Sequence, residues 1–234
     1  MTNIAENIER VKENIFRAEQ RAGIKPDDVR LCAVTKFVTT DRIQEAVAAG
    51  INTIGENHAQ EFTQKLTFYK QNGLNAHFIG QLQTNKVKYI CGNAEMIQSC
   101  DRPQLLQAID SFAAKQGIIQ SILIQINIGH EPQKGGIVPE EFDRLLDTAY
   151  AFPHILVRGI MCVPPALDPD SVRPYFRKMR SLYERKLNDG YSFDTLSMGM
   201  SHDYVTAIEE GANMVRVGSA IFGVRQIPGG TIHG

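Results

Sequence analysis

In the stretch SILIQINI, residues 121–128, isoleucine occupies every position of one alternating face, and Leu123 lies among polar residues on the other, so that apolar side chains occur on both faces. A strand that is apolar on both faces has to be covered on both sides, as in a parallel sheet packed under helices. The run therefore predicts an α/β protein with a buried parallel sheet.

Together with this run, eight segments resemble strands, and helix-length segments separate them. The candidate strands are Arg30–Lys36, Asn52–Glu56, Ala76–Gly80, Met96–Ser99, Ile122–Ile128, Val157–Val163, Thr195–Met200 and Met214–Gly218. Eight strands that alternate with helices in a chain of 234 residues are typical of a (β/α)8 TIM barrel. A doubly wound open sheet is the alternative, but no GxGxxG motif follows the first strand.

The chain is predicted to be one domain over residues 1–234 with an extra helix at its start. Apolar residues recur at helical spacing over residues 3–22, Asn3 and Glu6 have capping-box spacing, and Gly23 can end the helix. No linker-like segment divides the sequence. The glycine-rich segment 224–234 is predicted to be a loose tail.

Composition narrows the class of partner. With 43% hydrophobic residues, 22% charged residues and a formal net charge of -1, the chain gives no reason to expect nucleic acid or membrane. The four cysteines and six histidines lack the spacings of metal ligands, so no metal site is predicted. The absence of a signal peptide pattern favours a cytoplasmic protein, and we expect a monomer.

Polar residues gather where the predicted strands end, which is where TIM-barrel active sites lie. Gly199 and Ser201 follow the seventh strand, and Gly218 and Ser219 open a short segment after the eighth. Loops at these two positions, with a short extra helix, often bind phosphate in such barrels. Each serine alone could be a simple helix cap, but the two loops together favour a phosphate site.

Lys36 ends the first strand of the same rim. A desolvated lysine amine can form a Schiff base, and pyridoxal 5′-phosphate (PLP) needs both such an amine and a phosphate site. An aldolase that forms a Schiff base with a phosphorylated sugar stays open as an alternative. Arg216, inside the last strand, requires a specific partner such as Glu56.

Seven segments in order resemble the pyridoxal phosphate homeostasis protein family, whose fold type III barrel is similar to the N-terminal domain of alanine racemase. The segments are AVTK at 33–36, GENHAQE at 55–61, HFIGQLQTNK at 77–86, INIGHEPQKGG at 126–136, GIMCVPP at 159–165, LSMGMSHD at 196–203 and VRVGSAIFG at 215–223. Thr35, His58 and Ser219 depart from the family's commoner serine, tyrosine and threonine.

The resemblance implies roles for named residues. It implies that Lys36 holds PLP as a Schiff base, that Ser201, Gly218 and Ser219 hold the phosphate, and that Arg216 faces the pyridine nitrogen. It places Asn57 and His77 in the same pocket.

The resemblance also implies a PLP-binding protein of vitamin B6 homeostasis and of amino- and keto-acid balance, with PLP-dependent apoenzymes as possible partners. It favours a protein that is not an enzyme, so no residue is predicted to be catalytic. A small amino-acid racemase is the alternative. Racemases take a second acid/base from a further β domain, and we expect none here, since the sequence ends soon after the eighth strand.

Overall fold

The computed structural model describes residues 3–223 and contains a closed barrel of eight parallel strands in chain order. The strands are β1 (Arg30–Val34), β2 (Thr53–Glu56), β3 (Asn75–Phe78), β4 (Met96–Cys100), β5 (Gln120–Ile126), β6 (Ile155–Cys162), β7 (Thr195–Ser197) and β8 (Met214–Val217). The predicted TIM barrel is thereby confirmed and the open sheet is excluded. The predicted tail, residues 224–234, lies outside the described residues.

Helices connect the strands and surround the barrel. They are α1 (Ile4–Ala22), α2 (Thr40–Ala48), α3 (Ala59–Gln71), α4 (Val87–Ile90), α5 (Pro103–Gln116), α6 (Phe142–Tyr150), α7 (Pro169–Asn188), α8 (Tyr204–Glu209) and α9 (Ser219–Phe222), with 3-10 turns at Thr84–Lys86 and Pro139–Glu141. No helix in this described part of the chain is long and apolar enough to span a membrane.

The predicted extra helix at the start of the chain is α1. The side chain of Asn3 accepts a hydrogen bond from the backbone N–H of Glu6, and Gly23 ends the helix in the left-handed conformation with φ +66°. One face is buried at Ile4, Ile8 and other apolar positions, and the helix packs against α8, α9 and α2. Helix α1 thus covers the outside of the barrel where its first and last strands meet.

That junction closes the barrel. Strand β1 pairs with β8 in parallel, with Cys32 opposite Arg216 and Ala33 opposite Val217. Because all strands are parallel, the loops that follow them share one end of the barrel. Residues after β1 and residues after β8 are therefore neighbours, although almost the whole chain separates them.

The inside of the barrel divides into an apolar and a polar part. Met96, Leu123 and Met161 form a separate buried cluster there, distinct from the large core between strands and helices. Polar buried side chains on the strands include His77, Gln98, Ser197 and Arg216. Buried polar groups have to be hydrogen-bonded to one another or to a ligand.

Candidate functional site

Several predicted site residues lie in loops beyond the strand ends, closer to the rim than the sequence pattern placed them. Lys36 is two residues past the end of β1, Asn57 directly follows β2, and Ser201 lies four residues past β7. Ser219 is the first residue of α9 and is exposed, whereas Lys36, Asn57 and Ser201 are partly buried. All four occupy the same end of the barrel.

Helix α3 fixes the backbone on both sides of Lys36. The ammonium group of Lys65 donates to the carbonyl of Thr35 at 2.9 Å and to Glu61 Oε2 at 3.0 Å. The same Glu61 oxygen accepts from the backbone N–H of Phe37 at 2.8 Å. Phe37 has φ +59°, a conformation that non-glycine residues adopt only when their surroundings impose it.

Glu56 connects Thr35, Lys65 and Tyr69, and its side chain is fully buried at the end of β2. Its Oε1 accepts hydrogen bonds from Thr35 Oγ1 at 2.8 Å, Lys65 Nζ at 2.8 Å and Tyr69 Oη at 2.7 Å. Burial, followed by the charge of Glu56, raises the pKa of Tyr69, so that its hydroxyl stays a donor. The turn that carries Lys36 is consequently held by an ion-pair network from the next βα unit, which sequence spacing did not reveal.

The loops after β7 and β8 are joined by one hydroxyl group. Ser201 Oγ accepts hydrogen bonds from the backbone N–H of Gly218 at 3.1 Å and of Ala220 at 3.3 Å. Gly199 has φ +93°, and a Cβ there would lie 2.6 Å from that of Ala207. The predicted residues Ser201, Gly218 and Ser219 therefore do form one loop cluster, and α9 is the predicted short helix.

Arg216 is 3% exposed and lies on β8. Its Nη1 donates to Ser197 Oγ at 2.6 Å and its Nη2 to the carbonyl of Cys162 at 2.7 Å. The predicted pairing with Glu56 is wrong, because that carboxylate is turned toward Lys65 and Tyr69.

No carboxylate within residues 3–223 lies at ion-pair distance from this guanidinium. Burial raises the pKa of the neighbouring thiols of Cys32 and Cys162 to about 12, so they do not supply a negative charge at neutral pH. Burial also lowers the pKa of Arg216 itself. A buried cation without an anionic partner is costly, so Arg216 depends on its neutral acceptors, Ser197 Oγ and the carbonyl of Cys162.

His77 lies inside the barrel on β3, not on the rim. It is 4% exposed, and its Nδ1 is 2.8 Å from Gln98 Nε2. Burial, together with the charge of Arg30, lowers the pKa of His77 to about 4, so the ring is neutral at physiological pH.

Asn57 lines a cavity of about 570 Å3 that runs along α3 and the loop after β3. Its Oδ1 is buried and has no hydrogen-bond partner among the described residues. The backbone at Gly80 approaches so closely that a Cβ there would be 2.0 Å from the carbonyl oxygen of Asn57. His58, next in the chain, is exposed and packs its ring 5.1 Å from that of Phe37.

Comparison with known proteins gives consistent matches along the chain. The family model described as alanine racemase, N-terminal domain, matches residues 7–226. The chain is 42% identical over 226 residues to the pyridoxal phosphate homeostasis protein of Aquifex aeolicus, covering 96% of this chain and 99% of that one. It is 35% identical over 230 residues to the protein of the same name from Escherichia coli K12, covering 96% and 98%.

Solved structures agree with these sequence matches. PipY of Synechococcus elongatus, solved with PLP bound, superposes with a TM-score of 0.82 at 28% identity, covering 94% of this chain and 100% of that one. A structure from Bifidobacterium adolescentis, titled as an unknown protein, gives a TM-score of 0.89 at 32% identity, covering 94% of each chain. Alanine racemase from Corynebacterium glutamicum shares the fold, with a TM-score of 0.67 at 17% identity over 94% of this chain and 62% of that one.

Proposed function

The chain belongs to the pyridoxal phosphate homeostasis protein family, and from that premise we propose that it binds PLP and serves vitamin B6 homeostasis without robust catalytic turnover. In this proposal the protein is a monomer that holds PLP and passes it to PLP-dependent apoenzymes. The amino- and keto-acid balance of the cell then depends on it indirectly, through those enzymes.

The observation that carries the proposal is the buried guanidinium of Arg216 at the junction of β1 and β8, which has no carboxylate at ion-pair distance within residues 3–223. A pyridine nitrogen is an uncharged acceptor and suits a donor of this kind. Lys36 lies past the end of β1, and Ser201, Gly218 and Ser219 lie past the ends of β7 and β8. An amine, a ring-nitrogen donor and a phosphate-binding loop cluster are the three groups that PLP requires.

Each residue then has a distinct task. Lys36 would hold PLP as a Schiff base, formed from its amine and the aldehyde with loss of water, and the turn held by Glu56 and Lys65 presents that amine. Ser201, Gly218 and Ser219 hold the phosphate, which would compete with the Ser201 hydroxyl for the backbone N–H groups of Gly218 and Ala220. Asn57 borders the site with an amide oxygen that has no hydrogen-bond partner in the described part of the chain.

The same residues argue against efficient turnover. Bound PLP supplies an electron sink for carbanions at an amino acid Cα, and that sink is strongest when its ring nitrogen is protonated. A cationic Arg216 facing that nitrogen disfavours its protonation by charge repulsion. The site therefore favours holding the cofactor over using it.

Two measurements test the proposal. Added PLP is expected to give the purified protein a visible absorption band of lysine-bound cofactor, and a protein that stays colourless overturns PLP binding. With PLP bound, common amino acids in D2O are expected to exchange their Cα hydrogen no faster than with free PLP. Sustained exchange at enzymatic rates would instead identify a racemase-type enzyme.

A further inference from the structure

A chain of hydrogen-bonded side chains crosses the inside of the barrel behind Arg216. Arg216 Nη1 donates to Ser197 Oγ at 2.6 Å, and Ser197 Oγ donates to Gln98 Oε1 at 2.7 Å. Gln98 Nε2 then lies 2.8 Å from His77 Nδ1. We call Ser197, Gln98 and His77 the relay; they come from β7, β4 and β3, and each is less than 5% exposed.

We propose that Gln98 and Ser197 are positioning residues that fix the guanidinium of Arg216, and that His77 ends the relay as a neutral Nε2–H tautomer instead of contacting PLP. The proposal deepens the proposed function, because Arg216 is the residue assigned there to the ring nitrogen.

The direction of every hydrogen bond follows from the two ends of the relay. A guanidinium can only donate, so the Ser197 oxygen accepts from it and is free to donate its own hydrogen to Gln98. At the other end, Gln98 Nε2 also lies 3.2 Å from the sulfur of Met214, which can accept but not donate. The amide nitrogen of Gln98 therefore faces Met214 and His77, and its oxygen faces Ser197.

The orientation of the Gln98 amide determines the tautomer of His77. Since Gln98 donates to Nδ1, that nitrogen carries no hydrogen, and the ring proton lies on Nε2. A protonated ring would place two N–H groups against each other in the buried interior. The relay thus agrees with a histidine that stays neutral at physiological pH.

Arg216 depends on the relay because it lacks an ion-pair partner among the described residues. Its orientation rests on two acceptors, Ser197 Oγ and the carbonyl of Cys162. Gln98 uses the only hydrogen of the Ser197 hydroxyl and so leaves its lone pairs facing Arg216. Loss of the Ser197 or the Gln98 side chain therefore frees the Nη1 end of the Arg216 guanidinium.

The first test uses the protein without PLP and 15N-labelled histidine and arginine. NMR is expected to find His77 as the Nε2–H tautomer at pH 7 and to resolve slowly exchanging Nη–H signals for Arg216. Gln98→Glu places a second oxygen against His77, so Nδ1 should become protonated. A wild-type Nδ1–H tautomer, or an unchanged tautomer in Gln98→Glu, overturns the assignment of His77.

The second test measures positioning. Ser197→Ala and Gln98→Leu are expected to average the Arg216 Nη–H signals, to weaken PLP binding about tenfold and to shift its visible absorption maximum. Gln120→Leu is the control, because Gln120 is also buried but bonds to Gly92 and Ala94 instead. Resolved Nη–H signals in Ser197→Ala, or PLP affinity equal to wild type, would falsify the positioning role even if Gln98→Leu does not fold.

The NMR and PLP-binding measurements distinguish a failure of the proposed function from a failure of the positioning role. If wild-type protein does not bind PLP, the proposed function is wrong, whereas the tautomer and the Nη–H signals still decide whether the relay fixes Arg216. If PLP binds but the relay variants match wild type, only the positioning role is lost.

Discussion

The hydroxyl oxygen of Ser201 accepts a hydrogen bond from the backbone N–H of Gly218 at 3.1 Å, across the gap between the loops after β7 and β8. One side chain thereby joins the two loops to which we assign the phosphate. The bond links residues 17 positions apart in the sequence. The loops are thus joined by a contact within the protein itself.

Ser201→Ala is expected to weaken PLP binding about tenfold, because the phosphate loses a hydroxyl contact and the two loops lose their connection. Fluorescence titration with PLP measures the change. Ser192→Ala is the matched control, since Ser192 is exposed and precedes β7 at the opposite end of the barrel. Equal affinities for the two variants would count against the phosphate assignment.

Lys36→Ala and Lys36→Arg are both expected to lose the visible band of bound PLP. Arginine keeps the positive charge, but its guanidinium does not form a Schiff base with the aldehyde at neutral pH. Borohydride reduction followed by mass spectrometry should add one cofactor to the wild-type peptide that contains Lys36 and none to the variants. Lys88→Ala, at an exposed position on α4, should retain the band. A band that survives in Lys36→Arg would assign the covalent bond to another lysine.

Glu56→Ala is expected to lower the free energy of unfolding by about 3 kcal/mol, because it leaves Lys65 and Tyr69 without their buried acceptor. Urea unfolding followed by circular dichroism measures the loss. PLP affinity should fall as well, since the turn around Lys36 loses its support. Glu13→Ala removes an exposed ion pair with Arg17 and should cost less than about 0.5 kcal/mol. Similar costs for both variants would mean that the Glu56 network contributes little.

His77 predicts a specific dependence of stability on pH. Its pKa is lowered from 6.5 to about 4 in the folded protein, so the unfolded state binds more protons between these values. The contribution of the neutral His77 ring to the free energy of unfolding is fully present above pH 6.5. It falls by about 3 kcal/mol as the pH is lowered toward 4.

The variant His77→Asn isolates this contribution, because asparagine offers Gln98 an acceptor near the position of Nδ1 and does not titrate. The difference in free energy of unfolding between wild type and variant should shrink as the pH falls from 6.5 to 4. His130→Asn, at an exposed loop position, should leave the pH profile unchanged. A pH-independent difference for His77→Asn would show that the ring does not resist protonation.

The sequence predicted the barrel and the loop residues because each depends on local pattern. Apolar runs mark strands, and the rule that sites follow strand ends points to Lys36 and Ser201. Strand ends were less predictable: the apolar run through Met200 suggested a long seventh strand, but β7 ends at Ser197, and Gly199 turns the chain with φ +93°.

The supporting contacts could not be read from spacing. Ser197 and Gln98 are 99 residues apart and meet only because the barrel closes. Glu56, offered as one partner for Arg216, pairs instead with Lys65, and nothing local indicates that this lysine on the next helix turns back to it. Such long-range polar pairs follow from register and not from periodicity.

The pairing of β1 with β8 gives the site an unusual place in the assembly of the molecule. Lys36 follows β1 and Arg216 lies on β8, so the site proposed here forms only after β8 has joined β1. PLP added to a refolding protein should therefore report the last topological event, the closing of the ring of strands. By mass action it should also slow the reopening of that junction, which makes the cofactor a chemical probe for when a newly synthesised barrel is complete.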